Sequence, residues 1–327
     1  MNAFARIAAD GAAPALGPRR GPLTIGLLNN MPDAAMAATE RRFGELLRAA
    51  AGPRQIELRL FALDGLTRGE RVLAQMEGRY ESAAALAGAG LDGLIVTGNE
   101  PRAPRLDQEL YWPAMAAVID WAAKSRLATI WSCLAAHAAV LRLSGVRRRP
   151  LPAKLSGVFE SEALTGDPLL GDAALPYLTP HSRQNGLAEE DLIRAGYEIL
   201  TRSSGAGVDA FVRRQGAPAL FLQGHPEYDA DTLQKEYLRD VGRFLRGERD
   251  AHPATPSGYF DRERERALAG LTAYATRRPD PGLMSLYAEA LAGASLACRW
   301  RPSALTLYRN WLAEAASRVA PLGRESA

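Results

Sequence analysis

The sequence predicts an α/β protein, a mostly parallel sheet flanked by helices with a helical extension at its C-terminal end. Three observations predict it. Short apolar runs of strand length recur and end on polar residues or glycine. Amphipathic stretches of helical spacing separate them, the alternation that lays strands side by side in one direction. In addition, 47% of the 327 residues are apolar, enough for a sheet buried on both faces.

The elements follow in order. Residues 1–21 combine small residues, proline and a double arginine with no continuous apolar core of the kind an export signal needs. They are expected to form a flexible leader. Thr24-Ile25-Gly26-Leu27-Leu28 is a buried strand ending at Asn29-Asn30. A helix follows, with Met36, Phe43, Leu46 and Leu47 inward and Thr39, Glu40 and Arg41 outward. Ile56–Phe61 and Leu91–Gly98 are the second and third strands. Residues 109–124 carry Leu110, Met115, Val118, Ile119 and Trp121 at helical spacing, and Leu127–Ser132 is a fourth strand leading into a helix over Leu134–Leu143. Tyr197–Arg202, Asp209–Arg214 and Pro218–Gln223 are short runs joined by glycine-bearing turns, antiparallel in character. Leu233, Tyr237, Val241 and Phe244 mark another helix. Residues 247–298 are polar, proline-rich and then alanine-rich, and their pattern assigns no element. A last helix with Leu305, Leu307, Tyr308, Trp311 and Leu312 is expected to dock on the body. The expected organisation is therefore a leader (1–21), a catalytic domain (22–246) and a C-terminal extension (247–327).

Composition excludes several functions. Basic and acidic residues number 40 and 37, and only Lys124, Lys154 and Lys235 of the 40 are lysines. The remaining 37 are arginines scattered among carboxylates, which does not make a nucleic-acid stripe. No stretch reaches the roughly 18 apolar residues of a membrane span. Cys133 and Cys298 are too few for a disulfide framework and are not spaced as metal ligands. The expectation is a soluble cytoplasmic protein without a metal.

Cys133 lies between a predicted buried strand and a predicted helix. A sharp strand-to-helix turn lifts a side chain above the sheet edge and points the free amides of the helix's first turn at it. That is the setting of a nucleophilic sulfur, with the Leu134 amide as oxyanion donor. A small buried cysteine is the alternative. Four histidines could supply the base. His252 lies in the unpatterned tail. His137, four residues past Cys133, either approaches the sulfur or packs at the helix flank. His181 either meets substrate or fills a loop. His225 ends a strand, is pinned by Pro226 and has Glu227 two residues on, so a carboxylate can hold the imidazole by its second nitrogen. Cys133, His225 and Glu227 together are the arrangement that activates a nucleophile and steadies its base.

The segments Asn29-Asn30-Met31-Pro32, Gly93–Gly98, Tyr111-Trp112-Pro113, Lys154–Glu160, Pro180–Arg183, Gly224–Asp229 and Asn310-Trp311-Leu312 stand in order along the chain. In them the sequence resembles the homoserine O-succinyltransferase family. The resemblance runs from about residue 23 to 246 and resumes near Trp300. It implies a class I glutamine amidotransferase-like fold of the flavodoxin kind. It also implies acyl transfer from succinyl-CoA to the hydroxyl of L-homoserine, in methionine biosynthesis, with no cofactor beyond the acyl-CoA co-substrate. Cys133 would carry the acyl group as a thioester, His225 would accept the proton, and Glu227 would orient it. Lys154, Ser182 and Arg239 fall where the family contacts substrate. Arg102 takes the position associated with acyl-CoA choice, commonly glycine in succinyl users and glutamate in acetyl users, and an arginine there could pair with a succinyl carboxylate. The first loop reads Met31-Pro32-Asp33-Ala34-Ala35, without the lysines that commonly follow Met-Pro. The family also allows a homodimer.

Three alternatives stay open from the residues: an acetyl-CoA-dependent transferase, an acyltransferase for another amino alcohol, and a cysteine glutamine amidotransferase or amidohydrolase. Trp131 and Ala135 stand where glutamine-hydrolysing enzymes usually place elbow glycines, which favours acyl transfer.

Overall fold

A computed structural model describes residues 21–171, 173, 176–214 and 218–317; apart from Gly21, the expected leader lies outside them. The N-terminal half alternates as its pattern predicts. β1 (Leu23–Leu28) is followed by α1 (Asp33–Ala51), β2 (Ile56–Ala62), α2 (Glu70–Met76) and β3 (Tyr80–Ser82). Then come β4 (Gly93–Thr97), α3 (Trp112–Lys124), β5 (Ala128–Ser132) and α4 (Leu134–Ser144). Helix α1 buries Met36, Phe43, Leu46 and Leu47 as expected, but Thr39 is buried with them. Helix α3 starts at Trp112, three residues later than its apolar spacing suggested. Pro113 sits in its first turn, where no amide partner is needed. Glu109 instead folds back, and its Oε1 accepts the amides of Arg102 and Ala103 at 2.7 Å each. Leu110 is left exposed.

The second half differs more from the expectation. β6 (Arg149–Ala163) and β7 (Tyr177–Gly186) form a long antiparallel pair that the sequence pattern did not reveal. Their residues alternate poorly because β6 is half exposed along most of its length. After α5 (Glu189–Arg194), the single strand expected over 197–202 is two, β8 (Glu198–Ile199) and β9 (Thr201–Ser203). They join different sheets, with Leu200 between them. β10 (Gly207–Val208), β11 (Ala210–Arg213) and β12 (Ala219–Leu222) complete the strands. The main sheet has the order β3-β2-β1-β4-β5-β12-β11-β8. It is parallel from β3 through β12, and β11 and β8 are antiparallel. A smaller sheet runs β10-β9-β6-β7.

The remaining chain is helical: α6 (Thr232–Leu245), α7 (Arg262–Arg277), α8 (Met284–Leu291) and α9 (Arg301–Ser317). Helices α7 and α8 occupy the segment whose composition showed no element. They bury Leu268, Ala275, Tyr287 and Leu291 against Tyr237, Val241 and Phe244 of α6. The same segment is laced onto β6. Ser257 accepts from the Val158 amide at 2.8 Å and donates to the Ser156 carbonyl at 2.9 Å. Gly157 lies between them at φ +150°, and a Cβ there would stand 2.4 Å from the Ser257 carbonyl oxygen. Only glycine permits that approach.

Helix α9 covers one face of the main sheet together with α1. Leu307, Tyr308, Trp311 and Leu312 pack with Phe43, Leu46 and Leu47 over Ile25, Ile95 and Ile130. The Trp311 ring lies so close to β4 that a Cβ on Gly93 would meet it at 2.7 Å. Truncating this fully buried indole should cost about 3–5 kcal/mol. We therefore expect Trp311→Ala to shift the urea midpoint strongly downward, and a change below about 1 kcal/mol would show that α9 is peripheral to the core.

Candidate active site

In the parallel part of the sheet the carboxyl ends of the strands share one edge, where such folds place their ligands. β5 delivers Cys133 there and β12 delivers His225. Their register makes the two neighbours: Ser132 pairs with Leu222, and the Cys133 amide then donates to the Leu222 carbonyl at 2.7 Å. Cys133 takes φ +50° and ψ −108° at the N-cap of α4. Among the described residues it is the one non-glycine with positive φ. Such a conformation costs on the order of 1–3 kcal/mol and persists only where surroundings enforce it. Part of that enforcement is Gly98, at the end of β4. A Cβ there would lie 2.3 Å from Leu134 Cβ and 2.9 Å from the Ala135 amide nitrogen. The loop after β4 thus presses on the first turn of α4, and Cys133 remains partly exposed as a residue.

His225 is held from several directions. Its amide donates to the Pro180 carbonyl of β7 at 2.8 Å, and its Nδ1 meets Glu227 Oε1 at 2.8 Å. That leaves Nε2 on the side of Cys133, whose charge acts on the ring. The ring stacks on Tyr228, centroids 4.4 Å apart, and the Tyr228 carbonyl accepts from Trp300 Nε1 at 3.0 Å. Asp229 fixes the far end of the turn to α1 through Arg41 and Arg42, at 2.6 and 3.0 Å. Cys298 spends its thiol on the same Tyr228 carbonyl at 3.7 Å, a structural contact.

Burial opposes charge on His225, but Cys133 and Glu227 outweigh it and hold the imidazolium well above the ordinary histidine range. The other buried histidines go the opposite way. His137 is lowered to about 4, chiefly by burial. Its Nε2 meets Gln223 Oε1 at 2.9 Å, so it packs beside Gln223 and does not partner the sulfur. His181 is also pushed well down by burial, with Arg183 adding to it. It lies behind His225, with Arg183 Nε 3.3 Å from its Nδ1 and Asp209 Oδ1 3.4 Å from its Nε2.

The residues expected to contact substrate converge on α6. Lys154 Nζ donates to Asp240 Oδ2 at 2.8 Å and lies 3.8 Å from Glu236. Ser182 donates to Glu236 Oε2, and Arg239 Nε donates to Asp240 Oδ1 at 2.9 Å. Asp240 is buried and anchors an ion-pair cluster, from which the Arg239 side chain still reaches solvent. Glu236 joins it to the histidine, since Tyr228 Oη donates to Glu236 Oε1 at 2.7 Å. Tyr228, Glu236 and Trp300 were not singled out from the sequence, although Tyr228 lies within the Gly224–Asp229 motif. Leu134 provides a first-turn amide directly after Cys133. Arg102 is exposed, its amide tied to Glu109. In the first loop, Asp33 accepts from Arg68 at 3.1 Å and the Gly69 amide at 2.8 Å. Arg68, nearly buried, offsets the Asp33 charge in a loop that has no lysine. Among the described residues no group of three or more His, Cys, Asp or Glu could hold a metal ion.

A sulfur, an imidazolium and a carboxylate in line at a helix N-terminus suit nucleophilic acyl transfer. The sequence comparisons point to an acyltransferase family. The homoserine O-succinyltransferase family model matches residues 11–321. The chain is similar to the homoserine O-succinyltransferases of Methylorubrum extorquens (49% identical, 91% of this chain and 88% of that one) and Rhodopseudomonas palustris (47%, 90% and 89%). That of Bradyrhizobium japonicum is 44% identical, over 94% of this chain and 95% of its own. Among solved structures, a glutamine amidotransferase from Methylobacillus flagellatus is 16% identical with a TM-score of 0.49, covering 94% of this chain and all of that one.

The histidines make the site testable by pH. A raised folded pKa means that charged His225 stabilises the fold below the unfolded value, a contribution lost as pH rises through the folded one. His137 has the opposite sign: between about 6.5 and about 4 the unfolded chain binds the proton and the folded one does not. Its stabilising effect is lost as pH falls. Ring-carbon NMR should find His225 charged at neutral pH, with its midpoint lowered by Cys133→Ala or Glu227→Gln, and His137 neutral. A His225 midpoint near the free-histidine value in the wild type would rule out the coupling.

Proposed function

Because the chain belongs to the homoserine O-succinyltransferase family, we propose that it moves a succinyl group from succinyl-CoA to the hydroxyl of L-homoserine through a thioester on Cys133. The observation that carries this reading is the strained Cys133 turn facing an imidazole already oriented by Glu227. In the first half-reaction the thiolate attacks the thioester carbonyl, the bond to the CoA sulfur breaks, and CoA leaves with the proton held on His225. In the second, neutral His225 takes the proton of the acceptor hydroxyl as its oxygen attacks the acyl-enzyme. The sulfur departs as thiolate and the ion pair is restored. The Leu134 amide, at the positive end of α4, faces the oxyanion of both tetrahedral intermediates.

The acceptor occupies the α6 side of the site. Lys154 and Arg239 offer cations to its carboxylate, and the Glu236 carboxylate, shared by Ser182 and Tyr228, offers a partner for its ammonium. An acyl-CoA and an amino acid as substrates place the enzyme in the cytoplasm, on a route toward methionine.

Intact-mass spectrometry tests the reading directly. Mixed with succinyl-CoA alone, the protein should gain one succinyl group on Cys133, and homoserine should discharge it. Cys133→Ala should gain nothing and keep its fold. Glu227→Gln should slow turnover by about 10²–10⁴ while still forming some thioester. Turnover by Cys133→Ala would refute the covalent route, and ammonia release from glutamine would favour the amidohydrolase alternative.

A further inference from the structure

Two guanidinium groups lie within electrostatic reach of the Cys133 sulfur, Arg183 and Arg148. Arg183 is committed. Its three nitrogens serve His181 Nδ1, the Asn185 carbonyl and the Ala206 carbonyl. Arg148 is not. Its Nη1 is buried and has no hydrogen-bond partner, and among the described residues no carboxylate lies within ion-pair distance of it. The side chain stands between the start of α3 and α4, within electrostatic reach of Tyr111, Glu109 and His137 as well as Cys133. Its neighbours Arg147 and Arg149 turn the other way, into an open cleft with Asp191 and Arg194. The extended chain entering β6 therefore points one arginine of the run inward.

A half-buried guanidinium with a buried, unpartnered nitrogen is costly to keep, and its cost is relieved when an anion arrives. The carboxylate within electrostatic reach of it, Glu109, already serves the Arg102 and Ala103 amides. Lys154, Ser182 and Arg239 occupy the α6 side of the site, so the anion at Arg148 belongs to a different group from the one they receive. We infer that Arg148 binds the distal carboxylate of the succinyl group, in succinyl-CoA and in the Cys133 thioester, and so selects a dicarboxylic acyl donor. This rests on the proposed succinyl-CoA reaction. A planar fork matches a carboxylate bidentately, and its placement makes Arg148, in place of exposed Arg102, the residue that reads the acyl chain.

The test compares succinyl-CoA with butyryl-CoA, which has the same chain length without the charge. Thioester formation on Cys133 is followed by intact mass in wild type, Arg148→Gln and Arg148→Lys. We expect Arg148→Gln to lose about 100-fold in kcat/KM for succinyl-CoA and to take butyryl at least as fast as wild type. Arg148→Lys should recover part of the loss. Alkylation of Cys133 by neutral iodoacetamide should fall far less than succinylation does, and melting temperatures should show that both variants fold. Equal loss for both donors, a parallel loss in alkylation, or no loss would overturn the assignment. If wild type gains no succinyl group, it is the proposed function that fails; if wild type is succinylated and Arg148→Gln keeps its preference, only this inference does.

Discussion

One backbone hydrogen bond, from the Cys133 amide to the Leu222 carbonyl, fixes the relation on which the site depends. It extends the β5–β12 ladder one step past Ser132 and so sets the height at which Cys133 leaves its strand. His225 leaves the adjacent strand three residues beyond Leu222, too close for the geometry to depend on loops. A slip of one residue in a strand pair exchanges its faces, and here it would also bury the sulfur. Both strands are buried throughout apart from the first residue of β12, so hydrophobic burial enforces the register and the chemistry inherits its accuracy.

Around this pair the molecule arranges charge asymmetrically. The imidazole of His225 faces a sulfur and a carboxylate, while His137 and His181 sit in surroundings that hold them neutral. The contrast comes from partners, since all three rings are buried. Asp209, raised by burial although it takes hydrogen bonds from Thr179 and Gly224, supports His181 without competing for His225. A single imidazole near the sulfur is thereby left to carry a charge.

Much of this was legible in the sequence because buried strands and helix faces leave periodic traces. The parallel half, the Cys133 turn and the pairing of His225 with Glu227 two residues on are all local patterns. What was not legible depends on distant partners. β6 and β7 are long but half exposed, so no alternation announces them. Residues 197–202 form a continuous apolar-polar run, yet the chain changes sheets at Leu200. Helix α3 starts late because Glu109 is recruited by two amides in a preceding loop. Arg239 stands half-exposed on its helix, and only the burial of Asp240 beside it shows the cluster.

The turn that holds His225 is fastened by Trp300 and packed beside α9, both encoded more than seventy residues downstream. During synthesis, a chain still threaded through the ribosome lacks these fastenings even when every reacting group has emerged. The order of the site therefore waits on the last stretch of chain to be made.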